Sequence, residues 1–368
     1  MIYESNCKKI GLICTSLDNM AGGLERQIIR TCQSIESLGY TVVLFSYDNE
    51  DAQSFYPIPS TIKWEKCGCG LKPHSSASKL KRFKQLRYLR ERVKKNSISH
   101  LITFHHGLFP RTFVACLFLG VKLIVSERNA LSNYNYISLP KFNSGYLSLF
   151  LSHKITVQLK TYISDYPKQL RNKIVVIPNF IKDPLPEYIA PNIESKNIAM
   201  MGRLCAQKNF RPLLDQLSER ENEFEGLKVY IAGEGSEREE FEDKYSKLIH
   251  NSKLVLLGNI ANIDQFLMQS AIFCFPSLWE GYPNSLVEAI RLGLPILTSK
   301  RMSRLNEFVE NGVNGLIVDD RDLLDSTIYL LKNPDLLRKM SFESYKKYQV
   351  LCLQAPQGKW AEVLKSRQ

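Results

Sequence analysis

Residues 9–46 have the sequence KIGLICTSLDNMAGGLERQIIRTCQSIESLGYTVVLFS, and this stretch decides the fold class. The apolar residues 9–16 predict a strand, and apolar side chains then recur at helical spacing between Leu24 and Ile35. Gly39 ends this predicted helix, and residues 41–46 predict a second strand. A strand, a helix and a strand in this order form a βαβ unit, which implies a parallel sheet.

The same alternation continues in two blocks. Short apolar runs predict further strands at residues 100–104, 122–126 and 173–177, and then at 197–201, 227–232, 253–257, 271–275 and 295–298. Residues 178–192 contain four prolines and little periodicity, which predicts a linker. We therefore expect an α/β fold with two doubly wound, Rossmann-like domains facing across a cleft. The expected boundaries are residues 1–177, a linker at 178–195, residues 196–350, and a C-terminal helix in residues 351–368 that packs back on the first domain.

The charge balance points to an anionic partner. Among 368 residues, 49 Lys and Arg outnumber 37 Asp and Glu, which gives a net charge of +12. No apolar run approaches the roughly 20 residues of a membrane-spanning helix, and the polar N-terminus lacks a signal-peptide core. Nine cysteines without a CxxC pair predict a reducing compartment. We interpret Cys67 and Cys69 as part of a loop and not as a zinc site.

The strongest chemical signal, EGYPNSLVE, follows the strand predicted at residues 271–275. It places Glu280 in a loop and Glu288 in the first turns of a helix. Gly281 and the start of that helix present backbone N–H groups and the positive end of a helix dipole, which favour a diphosphate. Two interpretations stay open for Glu288: a ligand contact, or a capping box with Ser285. A loop carboxylate such as Glu280 has no evident structural task.

Two cations and two glycines follow other predicted strands. Arg203 and Lys208 come after residues 197–201, where they can neutralise two phosphates, although a solvated surface position is the ordinary alternative for each. Gly22 and Gly23 follow the first strand and allow the backbone to approach an anion. They do not form the GxGxxG fingerprint of dinucleotide-binding proteins.

Residues 79–95, KLKRFKQLRYLRERVKK, carry nine cations and one acid. Their apolar residues recur at helical spacing and predict a stripe that packs on the core: Leu80, Phe83, Leu86, Leu89 and Val93. The cations favour an anionic membrane surface. Nucleic acid is not an expected partner, because the aromatic and basic interleaving of the usual binding modules is absent from the sequence.

Taken together, these segments resemble the retaining glycosyltransferases of family 4, which have the GT-B fold. The resemblance spans nearly the whole chain, and its specific part is the Glu-x7-Glu segment ending at Glu288. The matching segments are Gly22-Gly23-Leu24-Glu25, Pro178-Asn179, Gly202-Arg203-Leu204 with Lys208-Asn209, Gly233-Glu234-Gly235, residues 277–289 and residues 311–318.

The resemblance implies a role for each matched residue. Arg203 and Lys208 would hold the donor diphosphate, and Glu280 would face the donor sugar as the third catalytic residue. Glu288 would bind the ribose hydroxyls, and the base would stack near Gly233. The complete set of expected donor contacts is Gly22, Gly23, Gly233, Asn259, Ile260, Gly281, Tyr282, Pro283, Asn284, Ser285 and Glu288.

The chain departs from the family where many members have a His after a strand of the N-terminal domain. Here that segment reads Ser-Glu-Arg-Asn at residues 126–129. Contacts to the sugar or the acceptor are therefore assigned to His105 and His106, which follow the preceding strand, and to Glu127 and Arg128. For the two histidines, a structural pair at a strand end is the open alternative.

The resemblance implies transfer of a hexose or N-acetylhexosamine from a nucleotide diphosphate sugar, with UDP favoured, to a lipid-linked or growing saccharide, with retention. The setting it implies is bacterial surface-polysaccharide assembly, such as capsule or O-antigen, at the cytoplasmic face of the cell membrane. No metal or other cofactor is expected, because Arg203 and Lys208 offset the charge of the leaving group. Asp320-Arg321-Asp322 resembles the metal signature of a different glycosyltransferase fold, but we interpret it as charge at a helix N-terminus.

Two alternatives stay open. One is a GT-B relative of other chemistry, such as a nucleotide-sugar epimerase. The other is a non-catalytic protein that binds nucleotide sugars. The presence of all four residues Arg203, Lys208, Glu280 and Glu288 argues against the second.

Overall fold

Two parallel sheets organise the part of the chain that the computed structural model describes, which is residues 8–20, 22–70, 78–129, 131, 144–220, 225–354 and 356–365. Contacts divide the chain into unit 1, Met1–Phe180 with Ala355–Gln368, and unit 2, Ile181–Gln354. Each unit contains one sheet and its own hydrophobic core.

The described strands of unit 1 form a seven-stranded sheet in the order β3-β2-β1-β4-β5-β6-β7. They are β1 (Lys9–Cys14), β2 (Thr41–Ser46), β3 (Lys63–Lys66), β4 (Ile98–Phe104), β5 (Lys122–Ser126), β6 (Lys154–Val157) and β7 (Ile174–Val176). The helices are α1 (Gly23–Ser37), α2 (Lys79–Lys95), α3 (Phe109–Cys116), α4 (Ser144–Leu149) and the C-terminal helix Pro356–Lys365. Because β1 lies between β2 and β4, the strand order reverses at β1, and the loops after β1 and β4 flank that reversal.

One core of unit 1 lies between its sheet and α1. Ile28 and Ile35 of α1 pack against Leu12 of β1 in this cluster, and all three are inaccessible to solvent. The C-terminal helix adds Trp360 and Val363 to the same cluster. Burying each such side chain stabilises the fold by roughly 1.5–3 kcal/mol.

The end of unit 1 is fastened to α1 by backbone hydrogen bonds at Phe180. The amide of Gln27, a buried residue of α1, donates from Nε2 to the Phe180 carbonyl and accepts from the Phe180 N–H through Oε1, both at 2.8 Å. Arg30 donates from Nη1 to the same carbonyl at 3.1 Å. The chain segment after β7 is therefore fixed to the first helix by three hydrogen bonds that periodicity cannot predict.

The described strands of unit 2 form a six-stranded parallel sheet in the order β10-β9-β8-β11-β12-β13. They are β8 (Asn197–Met201), β9 (Lys228–Ala232), β10 (Leu254–Gly258), β11 (Ile272–Phe275), β12 (Ile296–Ser299) and β13 (Gly315–Val318). The helices are α5 (Arg211–Glu219), α6 (Arg238–Lys244), α7 (Ser246–His250), α8 (Ile263–Met268), α9 (Asn284–Arg291), α10 (Leu323–Leu331) and α11 (Pro334–Cys352). Here the order reverses at β8, which lies between β9 and β11.

The predicted capping box at the Glu280–Glu288 segment is wrong. Helix α9 begins at Asn284, its N-cap is Pro283, and Ser285 lies inside the helix. The Ser-x-x-Glu pattern that starts at Ser236 fails in the same way, because α6 begins at Arg238 with Glu237 as its N-cap and without a side-chain cap. In both places the chain enters the helix at a different residue from the serine of the pattern.

The predicted packing of the apolar stripe of α2 is correct for only half of the helix. Leu89 and Val93 are buried, but Leu80 and Phe83 are 70% and 64% exposed. The second half of α2 packs on α3, and Arg90 donates from Nη1 to the carbonyls of residues 115 and 117 at 3.0 and 2.7 Å. The first half therefore presents apolar side chains and cations to solvent. Within the described residues, no helix is both long enough and apolar enough to cross a membrane.

Replacing Trp360 by Ala removes the largest side chain that the C-terminal helix contributes to the core of unit 1. We expect the free energy of unfolding to fall by about 3–5 kcal/mol, because the change leaves a cavity. Urea unfolding followed by circular dichroism measures this loss. Leu353→Ala is the control, since Leu353 is 84% exposed and its truncation should change stability by less than about 0.5 kcal/mol. Equal midpoints for the Trp360 variant and the unmodified protein would contradict this packing.

Candidate active site

The reversal of strand order in unit 2 brings together the three predicted catalytic residues. Ligands of such sheets bind outside the carboxyl ends of the strands, where the order reverses. The loop after β8 contains Arg203 and Lys208, and the loop after β11 contains Glu280. These two loops follow the two strands that pair at the reversal. The sequence alone could not show that they are neighbours.

Lys208 and Glu280 form a nearly buried ion pair. The distance from Lys208 Nζ to Glu280 Oε1 is 2.6 Å, and the two side chains are 14% and 9% exposed. The ammonium also lies 5.6 Å from the centre of the Phe275 ring. The interpretation of Lys208 as a solvated surface cation is therefore wrong. A pair this enclosed keeps both groups charged only as long as both are present.

The two loops are also joined through their backbones. Leu278 N–H donates to the Gln207 carbonyl at 2.9 Å, and Gln207 Nε2 donates to the Trp279 carbonyl at 2.8 Å. Arg203, by contrast, is exposed, and in the part of the chain that the structure describes it has no ion pair. The arrangement thus offers one cation held by a carboxylate and one cation available to an anion.

Glycines let the loops after β8, β9 and β10 stack closely. Gly202 has φ +151°, and a Cβ there would lie 2.5 Å from Lys208 Cε. Gly233 has φ +138°, and a Cβ there would collide with the Gly202 carbonyl oxygen. The Gly233 N–H donates to the Gly258 carbonyl at 2.8 Å. Asn259, which is exposed, and Ile260, which is half-buried, follow directly, so both predicted base contacts lie at this edge of the sheet.

The start of α9 supplies the remaining predicted donor contacts. Pro283, its N-cap, has no side-chain acceptor for the N–H groups of the first turn, which leaves the cap position open to an anion. Tyr282 is buried and packs edge-on against Phe308 with ring centres 5.4 Å apart. Burial raises the pKa of the Tyr282 phenol, so this side chain stays neutral. The half-buried members of the set are Gly281, Asn284, Ser285 and Glu288.

Asp320 supports the Lys208 loop from below and was missed as a site residue in the sequence. It accepts a hydrogen bond from Ser299 Oγ at 2.5 Å and one from Asn209 Nδ2 at 3.4 Å, and it pairs with Arg301 at 2.9 Å. Asn209 also donates to the Pro276 carbonyl at 3.1 Å. The carboxylate of Asp320 therefore acts on neighbouring loops as well as beside α10. Among the described residues, no group of three acidic, His or Cys side chains could hold a metal ion.

The two predicted glycines of unit 1 lie at the start of α1. Gly22 is the N-cap and Gly23 is the first helical residue. Glu25, which is buried, folds back so closely that a Cβ at position 22 would collide with its carboxylate. Gly22 is therefore required by the position of Glu25 whether or not its N–H binds a phosphate.

The two predicted histidines differ in their surroundings. His106 is wholly buried, and burial, with a smaller contribution from His105, lowers its pKa to about 4. It is thus neutral at physiological pH and part of the interior. His105 is half-buried, has φ +91°, and accepts the Gly107 N–H through Nδ1 at 3.1 Å. Of the two, His105 is the one that a ligand can reach.

Glu127 and Arg128 belong to a polar cluster after β5, β6 and β7. Glu127 is buried, and its Oε1 accepts the N–H groups of Arg128 and Asn129 at 2.8 and 3.1 Å. Arg128 donates to Asn179 Oδ1 at 3.1 Å, and burial lowers the pKa of its guanidinium to about 9. Gln158 donates to the same oxygen at 2.7 Å. The motif Pro178-Asn179 thus has a local structural task, which the sequence did not reveal.

Known proteins resemble this chain over most of its length. Residues 185–347 match the family model described as "Glycosyl transferases group 1". The chain is 25% identical over 346 residues to an uncharacterized glycosyltransferase of Haemophilus influenzae, which covers 92% of this chain and 94% of that protein. It is 25% identical over 348 residues, 90% of each chain, to the GalNAc-alpha-(1->4)-GalNAc-alpha-(1->3)-diNAcBac-PP-undecaprenol alpha-1,4-N-acetyl-D-galactosaminyltransferase of Campylobacter jejuni.

A solved structure shows the same fold. A variant of S. aureus TarM in complex with fondaparinux, alpha-GlcNAc-glycerol and UDP matches with a TM-score of 0.74 at 13% identity, over 98% of this chain and 100% of that one. The GT-B fold expected from the sequence is therefore confirmed.

Replacing Lys208 by Met tests the buried pair, because it leaves the Glu280 carboxylate without its counter-charge. We expect the free energy of unfolding to fall by about 1–3 kcal/mol. Adding Glu280→Gln in the same chain should recover most of this loss, since no uncompensated charge remains. Urea unfolding of the two single variants and the double variant forms the required cycle. Additive losses in the double variant would show that the two side chains do not interact.

Proposed function

Because the chain belongs, through residues 185–347, to the group 1 glycosyl transferases, we propose that it is a retaining hexosyltransferase. It moves a hexose or N-acetylhexosamine from a nucleoside diphosphate sugar, with UDP favoured, to a lipid-linked or growing saccharide. The observation that carries the proposal is the Lys208–Glu280 pair at the reversal of strand order, with Arg203 beside it in the same loop.

The chemistry explains why these charges are useful. Departure of the nucleoside diphosphate builds negative charge on the phosphates and positive charge on the sugar ring. Arg203 and Lys208 stabilise the first charge, and the carboxylate of Glu280 stabilises the second. Lys208 has three N–H donors, so it can contact Glu280 and a phosphate oxygen at the same time. Glu280 thereby orients the cation that the leaving group needs.

The remaining contacts follow from position at the same sheet edge. The first turn of α9 offers N–H groups to sugar hydroxyls or phosphate, and Glu288, one turn further along, binds the ribose hydroxyls. The base stacks near Gly233 and pairs with backbone at residues 259–260. In unit 1, the contacts proposed for Gly22, Gly23, His105, His106, Glu127 and Arg128 rest on the family resemblance, and His105 is the strongest of them for the acceptor. No metal is required in this scheme.

The names of similar proteins support the choice of donor and acceptor classes. TarM was solved with UDP, and the Campylobacter jejuni relative is named for an acceptor attached to PP-undecaprenol. A lipid-linked acceptor agrees with the exposed first half of α2, where Leu80 and Phe83 lie among cations. We therefore place the protein at the inner face of a bacterial membrane, peripherally bound, in surface-polysaccharide assembly.

A thermal-shift panel of UDP, GDP and ADP in the presence of EDTA tests the donor site. A ligand at about 100 times its Kd adds ~2.7 kcal/mol of stability, so we expect a clear shift with UDP and a smaller one with the others. Arg203→Ala should abolish most of the UDP shift without lowering the stability of the free protein, because Arg203 is exposed. The control is Arg338→Ala, an exposed arginine of α11 that forms ion pairs with Glu194 and Asp335.

Two results would count against this function. An unchanged UDP shift in the Arg203 variant removes that residue from the site. A UDP shift together with interconversion of free nucleotide sugars, and no transfer to a saccharide acceptor, would identify an epimerase instead.

A further inference from the structure

An unusual apolar surface of unit 1 lies at the edge of the sheet where β5 and β6 begin. Phe118, in the turn between α3 and β5, is 97% exposed and has φ +62°. A left-handed backbone is uncommon for a bulky residue, and full exposure of a phenyl ring is unfavourable in water. Such an outlier directs attention to function at its position.

Phe118 does not stand alone. It borders a pocket of about 430 Å³ that is lined mainly by apolar side chains, among them Phe113, Leu117 and Leu151. Leu151 is 57% exposed. Helices α3 and α4 pack against each other here, and their exposed apolar residues extend the patch: Val114, Leu147 and Phe150. Contiguous exposed apolar surface marks an interaction site, whereas isolated residues do not.

Three lysines surround this surface. Lys122 and Lys154 are the first residues of β5 and β6, and Lys173 directly precedes β7. Lys173 donates from Nζ to the carbonyls of Phe150 and Ser152, both at 2.9 Å. In the described ranges, none of the three lysines is ion-paired with a carboxylate. Their combined charge is felt by His153, whose pKa is lowered first by burial and then by these lysines.

We propose that this surface docks on an anionic lipid bilayer, with Phe118 and Leu151 inserted among the acyl chains and Lys122, Lys154 and Lys173 beside the headgroup phosphates. Apolar side chains ringed by unpaired cations are the combination that binds such an interface. A second copy or another protein is less suited, because lysine is depleted in protein–protein interfaces.

This proposal goes beyond the proposed function, since it does not involve the nucleotide site, and it is separate from the exposed half of α2. The two surfaces belong to adjoining elements. Arg90 of α2 donates to the Leu117 carbonyl at 2.7 Å, immediately before Phe118. The helices α2 and α3 pack together, so the cationic half of α2 and the Phe118 surface can contribute to one attachment.

Cosedimentation of the full chain with vesicles tests the proposal. The vesicles are made of phosphatidylglycerol mixed with phosphatidylcholine, or of phosphatidylcholine alone. Phe118→Ser should weaken binding to the anionic vesicles about tenfold or more, which is the loss expected when one phenyl ring no longer leaves water. Lys122→Gln and Lys154→Gln should each weaken it about fivefold and reduce the preference for phosphatidylglycerol. Leu353→Ser, an equally conservative change at an exposed leucine of unit 2, should bind like the unmodified chain.

The UDP-induced thermal shift of each variant separates this proposal from the donor site. We expect the Phe118 variant to keep the full shift, which shows an intact fold and nucleotide site. Unchanged vesicle binding by Phe118→Ser and Leu151→Ser, with binding lost in Phe83→Ser, would overturn the proposal and assign attachment to α2 alone. A dimer that sedimentation velocity detects in the unmodified chain and not in Phe118→Ser, with equal vesicle binding, would also overturn it in favour of self-association.

Discussion

A parallel sheet has to bring the chain back to the same edge after every strand, and this constraint governs both units. When the crossovers run away from one strand in both directions, the loops at its carboxyl end separate and leave a crevice. β1 occupies this position in unit 1, and β8 occupies it in unit 2. In unit 2, the reversal brings Lys208 to hydrogen-bonding distance of Glu280, although 72 positions separate them in the sequence. The candidate site is thus a consequence of strand order as much as of its loops.

The difference between the two cations decides what kind of ligand the site favours. Arg203 is exposed, and an anion that met only Arg203 would gain little more than a surface ion pair gives. Lys208 is nearly buried and already shares its charge with Glu280. A ligand that reaches both cations has to span the loop from one to the other. This geometry favours an extended polyanion, such as a diphosphate, over a single phosphate.

The architecture was predictable where one local signal dominates. Buried central strands such as β1 and β11 are apolar throughout, and the sequence predicts them. The edge strand β3, Lys63–Lys66, and the short β6, Lys154–Val157, begin with lysine and have too few apolar residues to be recognised. Capping boxes were predicted from a four-residue pattern, but Pro283 shows that helix entry depends on the preceding turn. The burial of Lys208 depends on a distant loop, so no local pattern contains it.

Periodicity along α2 also could not show where its contacts with the core end. A stripe at helical spacing continues from Leu80 to Val93, but only a neighbouring element can bury it, and α3 covers the second half. The cationic edge of unit 1 has a comparable origin. Residues 122 and 154 each begin a strand, and in a parallel sheet all strand beginnings lie at one edge, about 4.8 Å apart between neighbours. Lysines that are scattered along the sequence therefore form a row in the fold, and a row of like charges beside exposed apolar side chains stays favourable only where an anionic surface can receive it.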